Sequence, residues 1–221
     1  ARQKTPRVSI NQRLSGVQAG PLLMDLVGQD RLIGTGEVNA DLTMRGLDDA
    51  TIRKTLNGKA DFAFRDGAVK GVNVAELIRN AQARLSGGGT DSSGPQQTDF
   101  SELSGSATIR NGVVDNRDLI AKSPLLRVDG QGQVDLPGEN INYLLTTELV
   151  QSLQGQGGAE DLTGLPIPVR IKGKLTDPGF SVDLQKVLES RVKQEAKQKL
   201  ESKLKDKAGD KLQGVLKGFG F

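Results

Sequence analysis

Alternation of apolar and polar residues with a period of two runs through most of the first 184 residues. The clearest run extends from Leu32 to Met44, where every second position is apolar or glycine and the intervening residues are mostly polar. Because successive side chains of a β-strand point to opposite faces, this run predicts a strand with one apolar face and one solvent-exposed polar face. The pattern returns at 56–64 and 165–175. It predicts a mainly β fold, a long curved antiparallel sheet that forms a groove.

Two similar segments suggest a repeated hairpin. They are LNGKADFAFRDGAVKG at 56–71 and LSGSATIRNGVV at 103–114, which share Leu-x-Gly-x-Ala followed by a strand. Each then contains a turn-forming pair, Asp-Gly at Asp66 and Asn-Gly at Asn111. Such pairs between alternating strands predict tight hairpins in both segments. The alternative is that these turns recur through turn chemistry alone, without duplication.

Two segments have helical rather than strand-like patterns. In the first, Asn73 can cap a helix, Glu76 follows as in a capping box, and Val74 to Leu85 carries an apolar stripe. This predicts one short helix. After Leu184, apolar residues recur every four positions, which predicts a long C-terminal helix over 185–221. Since four residues exceed one 3.6-residue turn by about 40°, this stripe winds around the helix.

Changes in composition mark the expected domain limits. The segment at 86–98 is rich in Gly, Ser and Gln, and it predicts a flexible loop. The formal net charge of +3 arises near the end of the chain, because residues 186–217 carry ten basic and five acidic side chains. We therefore predict a β-sheet domain at 1–184 and a basic amphipathic helix at 185–221. This helix either contacts an anionic membrane surface or packs, solvated, along the sheet edge. The candidates for membrane contact are Lys193, Lys197, Lys203, Lys207 and Lys211.

The absence of Cys and His removes many kinds of catalytic site. The chain has no usual zinc ligand set, no thiol nucleophile and no imidazole base for a serine triad. A glycosidase needs two carboxylates that face each other across a cleft. Carboxylates are plentiful here, but the pattern places them on the polar strand face, as for Asp41, Asp61, Asp115 and Asp129. With 3% aromatic residues, stacking on nucleic acid is poorly supported. We predict a non-enzymatic protein with no catalytic residues, no metal, no cofactor and no nucleic-acid partner.

The alternating strands also suggest a ligand. If the sheet is curved, its concave face presents a continuous apolar strip, and acyl chains gain about 0.8 kcal/mol per buried CH₂ without directed polar contacts. The alternative is that the same side chains fill an ordinary closed core. The lipid-facing candidates are Val38, Ala40, Leu42, Ala60, Phe62, Ile109, Val128, Val134, Val169 and Ile171.

The order of several short motifs resembles the C-terminal region of the AsmA family. FSELSGSATIRNGVVDNRDLIAKSPLLRVDGQGQVDLPGENINYLL, which begins at Phe100, combines an Asn-Gly hairpin, the run SPLLRV-x-G-x-G-x-VDL and an extended Ile-x-Tyr-x-Leu strand. Downstream, LPIPVRIKGKLTDPGFSVDL is similar to that family's closing strand. Upstream, GPLLMDLVGQDRLIGTGEVNADLTMRG and the segment at 56–78 are similar to its preceding hairpins. The resemblance covers Leu14 to Leu184.

The resemblance implies a periplasmic scaffold with roles in outer-membrane biogenesis and in lipid homeostasis or transport. Family members are compared with chorein-type bridge proteins, whose curved sheet holds acyl chains. The implied partners are phospholipid or another acyl lipid, a membrane surface and envelope proteins. Such proteins are held in the inner membrane by an N-terminal helix, and no run here reaches the ~18 to 20 apolar residues of a span. The alternative function is a structural or protein-binding module that assists outer-membrane protein assembly without lipid cargo.

Overall fold

The computed structural model describes residues 6–85, 87, 89, 94–150, 162–189 and 192–193. The chain divides into two compact units, residues 1–183 and 184–221. In the described part of the first unit, nine strands form one sheet in chain order, and every neighbouring pair is antiparallel. The elements are β1 (Arg7–Gln18), α1 (Ala19–Val27), β2 (Leu32–Arg45), α2 (Asp49–Thr55), β3 (Asn57–Lys70), α3 (Val74–Leu85), β4 (Gln97–Arg110), β5 (Val113–Lys122), β6 (Leu126–Asp135), β7 (Asn140–Leu149), β8 (Ile167–Lys174) and β9 (Pro178–Val182). The mainly antiparallel β fold predicted from the sequence is confirmed.

The strand register separates an apolar face from a polar face across the whole sheet. Residues paired across antiparallel strands lie side by side on one face, so each row of partners can be followed from β1 to β9. One row is almost entirely apolar: Ile10, Leu42, Gly58, Ile109, Val114, Val134, Ile141, Gly173 and Pro178. The adjacent row, on the other face, is polar apart from one glycine: Asn11, Asp41, Lys59, Thr108, Asp115, Gln133, Asn142, Lys172 and Gly179.

The sheet curves around α3. This helix contacts both β4 and β9, which are five strand spacings apart in the sheet. In a flat sheet that separation would be about 24 Å, longer than the axis of this 12-residue helix, which is roughly 18 Å. One helix reaches both strands because the sheet bends. The bend also brings an Nη atom of Arg31, which precedes β2, to 2.6 Å from the carbonyl oxygen of Thr176 in the β8–β9 turn.

Two helices in the described residues were not predicted from the sequence. α1 occupies part of a segment whose sequence is similar to an AsmA-family hairpin, and its C-cap is Gly28 with φ 71°. Its apolar run is short, and a short apolar run does not distinguish helix from buried strand. α2 has seven residues and a side-chain cap at Asp48. The predicted helix at Val74–Leu85 is present as α3, and Asn73 Oδ1 accepts a hydrogen bond from the Glu76 N–H at 3.0 Å.

The hairpin predicted around Asp66 is wrong. β3 continues through this position as one strand, Asn57–Lys70. Asp66 has φ 49°, but the φ of Gly67 is not positive, so the chain bulges and continues instead of reversing. At the second pair, Asn111 and Gly112 have φ 49° and 78°. Two successive positive φ angles make the tight turn that joins β4 to β5.

The predicted loop and C-terminal helix are described only in part. Within the loop predicted at 86–98, β4 already begins at Gln97, and the carbonyl of Gln96 accepts a hydrogen bond from the Gly71 N–H at 2.7 Å. In the second unit, residues 184–189 and 192–193 are helical. The remainder of the helix predicted over 185–221 lies outside the described residues.

Candidate functional site

All ten lipid-facing candidates lie on the apolar face. Their cross-strand partners show this, since Val38 pairs with Phe62 and Ala40 pairs with Ala60. Burial divides them into two groups. Ile109, Val128 and Val169 are buried. The others are half-buried: Val38, Ala40, Leu42, Ala60, Phe62, Val134 and Ile171.

Ile109 lies in the row of Leu42 and Gly58. The other two buried candidates, Val128 and Val169, belong to a closed region of the apolar face. Its centre is a row that crosses six strands, and in it Thr147 and Ile167 have no exposed surface. α1 contributes Ala19 and Leu22 to a cluster around Phe64. We call this part of the face the closed region, and its row is Phe64, Leu103, Ala121, Val128, Thr147 and Ile167.

Among the half-buried candidates of β2 and β3, Val38 and Phe62 pack against the Phe64 cluster, whereas Ala40, Leu42 and Ala60 belong to an open region. Here the apolar face extends to the edge strand β1, where Val8 is 42% and Leu14 is 36% exposed. Small side chains form a shallow floor, because Ala40, Ala60 and Ala107 are neighbours in one row. Among the described residues, α1 and α2 are the helices that contact β2. The open region comprises Val8, Ile10, Gln12, Leu14, Ala40, Leu42, Ala60 and Ala107.

A polar cluster interrupts the apolar face at a bulge in β5. Asn116 is two residues after Val114, so regular alternation places it on the apolar face, and the register of β5 relative to β6 shifts directly after it, between Asn116 and Leu119. The hydroxyl of Tyr143 donates to Asn116 Oδ1. Asn116 Nδ2 donates to the Ser106 carbonyl at 2.6 Å and to Asp118 Oδ1 at 2.9 Å. Each polar group of this buried side chain is therefore hydrogen-bonded, as burial requires.

The cluster perturbs two titratable groups. The Ser106 N–H donates to Asp118 at 2.8 Å and its hydroxyl donates at 2.7 Å. These bonds stabilise the charged carboxylate, so they hold the pKa of Asp118 below its ordinary value. Burial, and secondarily the Asp118 charge, raise the pKa of Tyr143. Sequence reasoning missed this cluster.

A signal for the Tyr143 position was present in the sequence. Two glycines, Gly130 and Gly132, lie on the neighbouring strand beneath its ring. A Cβ at Gly132 would lie 2.6 Å from Tyr143 Cδ2, and one at Gly130 would lie 2.9 Å from Cε1. The Gly-x-Gly pair therefore leaves the space that the single tyrosine of the chain fills.

A cavity of about 570 Å³ lies where α1 meets β2 and β3. Two of its apolar side chains, Met24 and Ile33, are 48% and 46% exposed. At its rim, Lys70 Nζ pairs with Asp30 Oδ2 at 2.8 Å, and this hydrogen bond lowers the pKa of Asp30. Sequence reasoning missed this cavity. Its lining residues are Gln18, Gly20, Pro21, Met24, Asp30, Leu32, Ile33, Gly34, Thr35, Asp66 and Lys70.

The carboxylates considered in the sequence lie on the polar face. Asp41, Asp61, Asp115 and Asp129 alternate with apolar-face residues along their strands. Asp61 accepts a hydrogen bond from Asn39 Nδ2 at 2.6 Å, in a polar ladder along the sheet. The described residues contain no group of three or more acidic side chains placed to hold a metal ion.

The second unit and the membrane candidates can be assessed only in part. Lys193 is exposed. The other four candidates, Lys197, Lys203, Lys207 and Lys211, lie outside the described residues. Within the part of the chain that the structure describes, no helix has the length and apolar character needed to cross a membrane.

Comparison with known proteins places these features in a family context. The family model described as the AsmA family matches residues 1–119, which span β1 to most of β5. Protein AsmA of Escherichia coli (strain K12) is 24% identical over 198 residues. That alignment covers 87% of this chain and 32% of the relative, so the chain spans about a third of the relative's length. No solved structure matches the chain significantly.

Proposed function

Because this chain belongs to the AsmA family, we propose that it is a non-enzymatic scaffold of the bacterial envelope that holds acyl lipid along its apolar face. In this proposal the scaffold acts in the periplasm, in outer-membrane biogenesis and phospholipid homeostasis or transport. Its full-length form is anchored in the inner membrane by a helix. The exposed Lys193 and the basic segment that follows contact anionic lipid head groups.

The open region carries this proposal. In an ordinary core the apolar side chains of this region would be buried, as Phe64 and Ile167 are in the closed region. In the open region Leu42 and Ala60 are instead half-buried, and Val8 is exposed. Ten methylene groups buried on such a surface contribute about 8 kcal/mol before the entropy cost of binding. Acyl chains fit this surface because it offers extended apolar area, with Gln12 at its edge as the one polar side chain among the residues of the open region.

A second function is favoured by the edge of the sheet. β1 is an edge strand of 12 residues, and its backbone groups on one side have no strand partner among the described residues. Exposed edges of this kind accept strands from other proteins. The alternative is therefore a protein-binding module that assists outer-membrane protein assembly without lipid cargo.

A pair of charge substitutions separates the two functions. Leu42→Asp places a carboxylate in the open region, where water still solvates it, so the protein should fold but lose affinity for acyl chains. Thr43→Asp is the matched control, because it adds the same charge at the next residue on the polar face. Val169→Asp should unfold the protein, since a buried unpaired charge costs several kcal/mol of a total stability of about 5–15 kcal/mol.

The measurements are displacement of a fluorescent fatty acid and mass spectrometry of lipid extracted from natively purified protein. Folding of each variant is checked by circular dichroism. Lipid binding that Leu42→Asp weakens at least tenfold and Thr43→Asp preserves would support the acyl-binding proposal. A wild-type protein that carries no lipid and binds none would leave the protein-binding module as the better account.

A further inference from the structure

The most exposed large apolar side chain among the described residues lies between β2 and α2. Leu47 is 86% exposed. It follows Gly46, whose N–H donates to the Pro6 carbonyl at 3.1 Å, and both Pro6 and Val8 are exposed at the start of β1. One exposed leucine is ordinary, but neighbouring exposed apolar side chains mark an interaction surface. We call Pro6, Val8 and Leu47 the tip patch.

The backbone holds Leu47 in a fixed turn. Gly46 is buried and has φ 113°, a conformation that glycine adopts freely. A Cβ at this position would lie 2.6 Å from Thr51 Cγ2, so the turn packs closely against α2. On the other side of Leu47, Asp48 Oδ1 accepts from the Thr51 N–H at 2.9 Å and caps α2. Because the turn is fixed on both sides, insertion of Leu47 into an apolar medium costs little ordering entropy.

Two unpaired cations lie beside the tip patch. Arg7 and Arg45 are directly opposite each other on β1 and β2, and both are exposed. Neither guanidinium has a hydrogen-bond or ion-pair partner among the described residues. Like charges directly opposite each other destabilise a sheet. A phosphate between them would offset that repulsion and accept hydrogen bonds from both guanidinium groups.

The acidic side chains nearby already have local roles. Asp48 and Asp49 lie at the start of α2, where the unpaired N–H groups of a helix favour negative charge. Glu139 pairs with Arg53 of α2 at 3.2 Å. Together with Lys54 and the two unpaired arginines, these residues carry a net charge of +1. The tip therefore combines an apolar projection with a small positive excess, which fits a phospholipid surface better than an apolar pocket on a protein.

We propose that the tip patch docks on the surface of a phospholipid bilayer, with Leu47 inserted among the acyl chains and with Arg7 and Arg45 on lipid phosphates. This contact is separate from that of the basic segment after Lys193. The inference rests on the proposed function and deepens it, because Val8 belongs to both the tip patch and the open region. Docking at the tip thus brings the bilayer to the surface on which acyl chains would lie.

A single fluorescent reporter tests the insertion directly. The chain has no tryptophan, so Leu47→Trp places one indole at the tip. When vesicles of phosphatidylcholine and phosphatidylglycerol are added, its emission should shift to the blue and be quenched by brominated acyl chains. The matched control is Ile120→Trp, at a side chain that is 47% exposed and lies on the polar face beside Asp129. Its emission should not change.

Substitutions then measure what each part of the contact contributes to co-sedimentation with the same vesicles. Leu47→Ser should lower the vesicle affinity about tenfold, because a leucine no longer leaves water on binding. Arg45→Gln should lower it about fivefold through the lost phosphate contact. Ile120→Ser should bind vesicles as wild type does. Leu47→Ser should also bind a fluorescent fatty acid as wild type does, since Leu47 lies outside the open region.

Unchanged emission of the Leu47→Trp protein when it is bound to vesicles would overturn the inference and assign the contact to the basic segment. Equal vesicle affinity of wild type and Leu47→Ser would overturn it as well. A protein that ignores vesicles altogether would leave an apolar pocket on a partner protein as the occupant of the tip patch. If the fatty acid still binds in these cases, the proposed function stands without the tip contact. Failure of the wild type to bind the fatty acid would instead contradict the proposed function on which the inference rests.

Discussion

Removal of the Tyr143 hydroxyl should destabilise the sheet through a buried hydrogen bond. In Tyr143→Phe the ring remains over Gly130 and Gly132, so packing is preserved. The hydrogen bond that is lost is the one to Asn116, a side chain that is 8% exposed and whose Oδ1 accepts from that hydroxyl. A buried acceptor left without its donor costs about 1–3 kcal/mol. That is a large share of the roughly 5–15 kcal/mol that stabilises a folded domain.

Urea unfolding measures this loss directly. The midpoint should fall while the slope remains unchanged, because the surface exposed on unfolding is the same. The melting temperature should fall by about 2–4 °C per kcal/mol lost. Asn116→Ala and the double variant complete a thermodynamic cycle, for which we expect a coupling of about 1 kcal/mol. If Tyr143→Phe lies within about 0.5 kcal/mol of wild type, or the two changes are additive, then the hydroxyl is not part of a buried network.

Two further predictions concern the same part of the sheet. Gly132→Ala should destabilise the protein by about 1–3 kcal/mol, because its Cβ would lie 2.5 Å from the Asn142 carbonyl oxygen. The control is Gly89→Ala, whose Cβ would have no atom within 4 Å. This variant should unfold in urea as wild type does. The pKa of Asp118 is lowered in the folded protein. Its ionised form therefore stabilises the fold above the ordinary carboxyl pKa of about 4. This contribution to stability is lost as pH falls through the folded pKa. The stability of wild type should therefore fall more steeply than that of Asp118→Asn between about pH 5 and 2, and parallel pH profiles would contradict the assignment of the Ser106 bonds.

The faces of the sheet could be predicted from the sequence because alternation carries that information directly. Val38 and Leu42 are both even-numbered positions of one strand, so a single strand assignment places them together. The register then extends the apolar face to Val134 and Ile171 on distant strands. Which part of the face is covered could not be predicted, since alternation does not encode the curvature that brings β9 to α3.

The misassigned hairpin shows how similar turn chemistry leads to different structures. Asp66 and Asn111 have the same φ of 49°. The following glycine decides the outcome, because Gly112 also has a positive φ whereas Gly67 does not. Both sequences allow either conformation, and pairing with the neighbouring strands selects one. The cavity at Asp66 was missed for the same reason, since it depends on a bulge that the sequence presents as a turn.

The missed helices have a different cause. α1 and α2 are short, nine and seven residues, and each lies at one end of β2. Helices of this length are marginal on their own and form because tertiary packing supports them. The cap at Asp48, which accepts from the Thr51 N–H at 2.9 Å, was a usable local signal for α2. For α1 the apolar run suited strand and helix equally.

The chain-ordered sheet has a consequence for how this protein folds. Each strand from β1 to β9 finds its partners immediately before and after it in the chain, so most of the ladder closes short loops and the contact order of the sheet is low. Strands can therefore dock one after another as the chain emerges, in the manner of repeat proteins that propagate from any point. The contacts that bend the sheet close much longer loops, as Arg31 and Thr176 do across 145 residues. Such closures form last, so we expect a paired but flatter sheet to precede the curved one during folding.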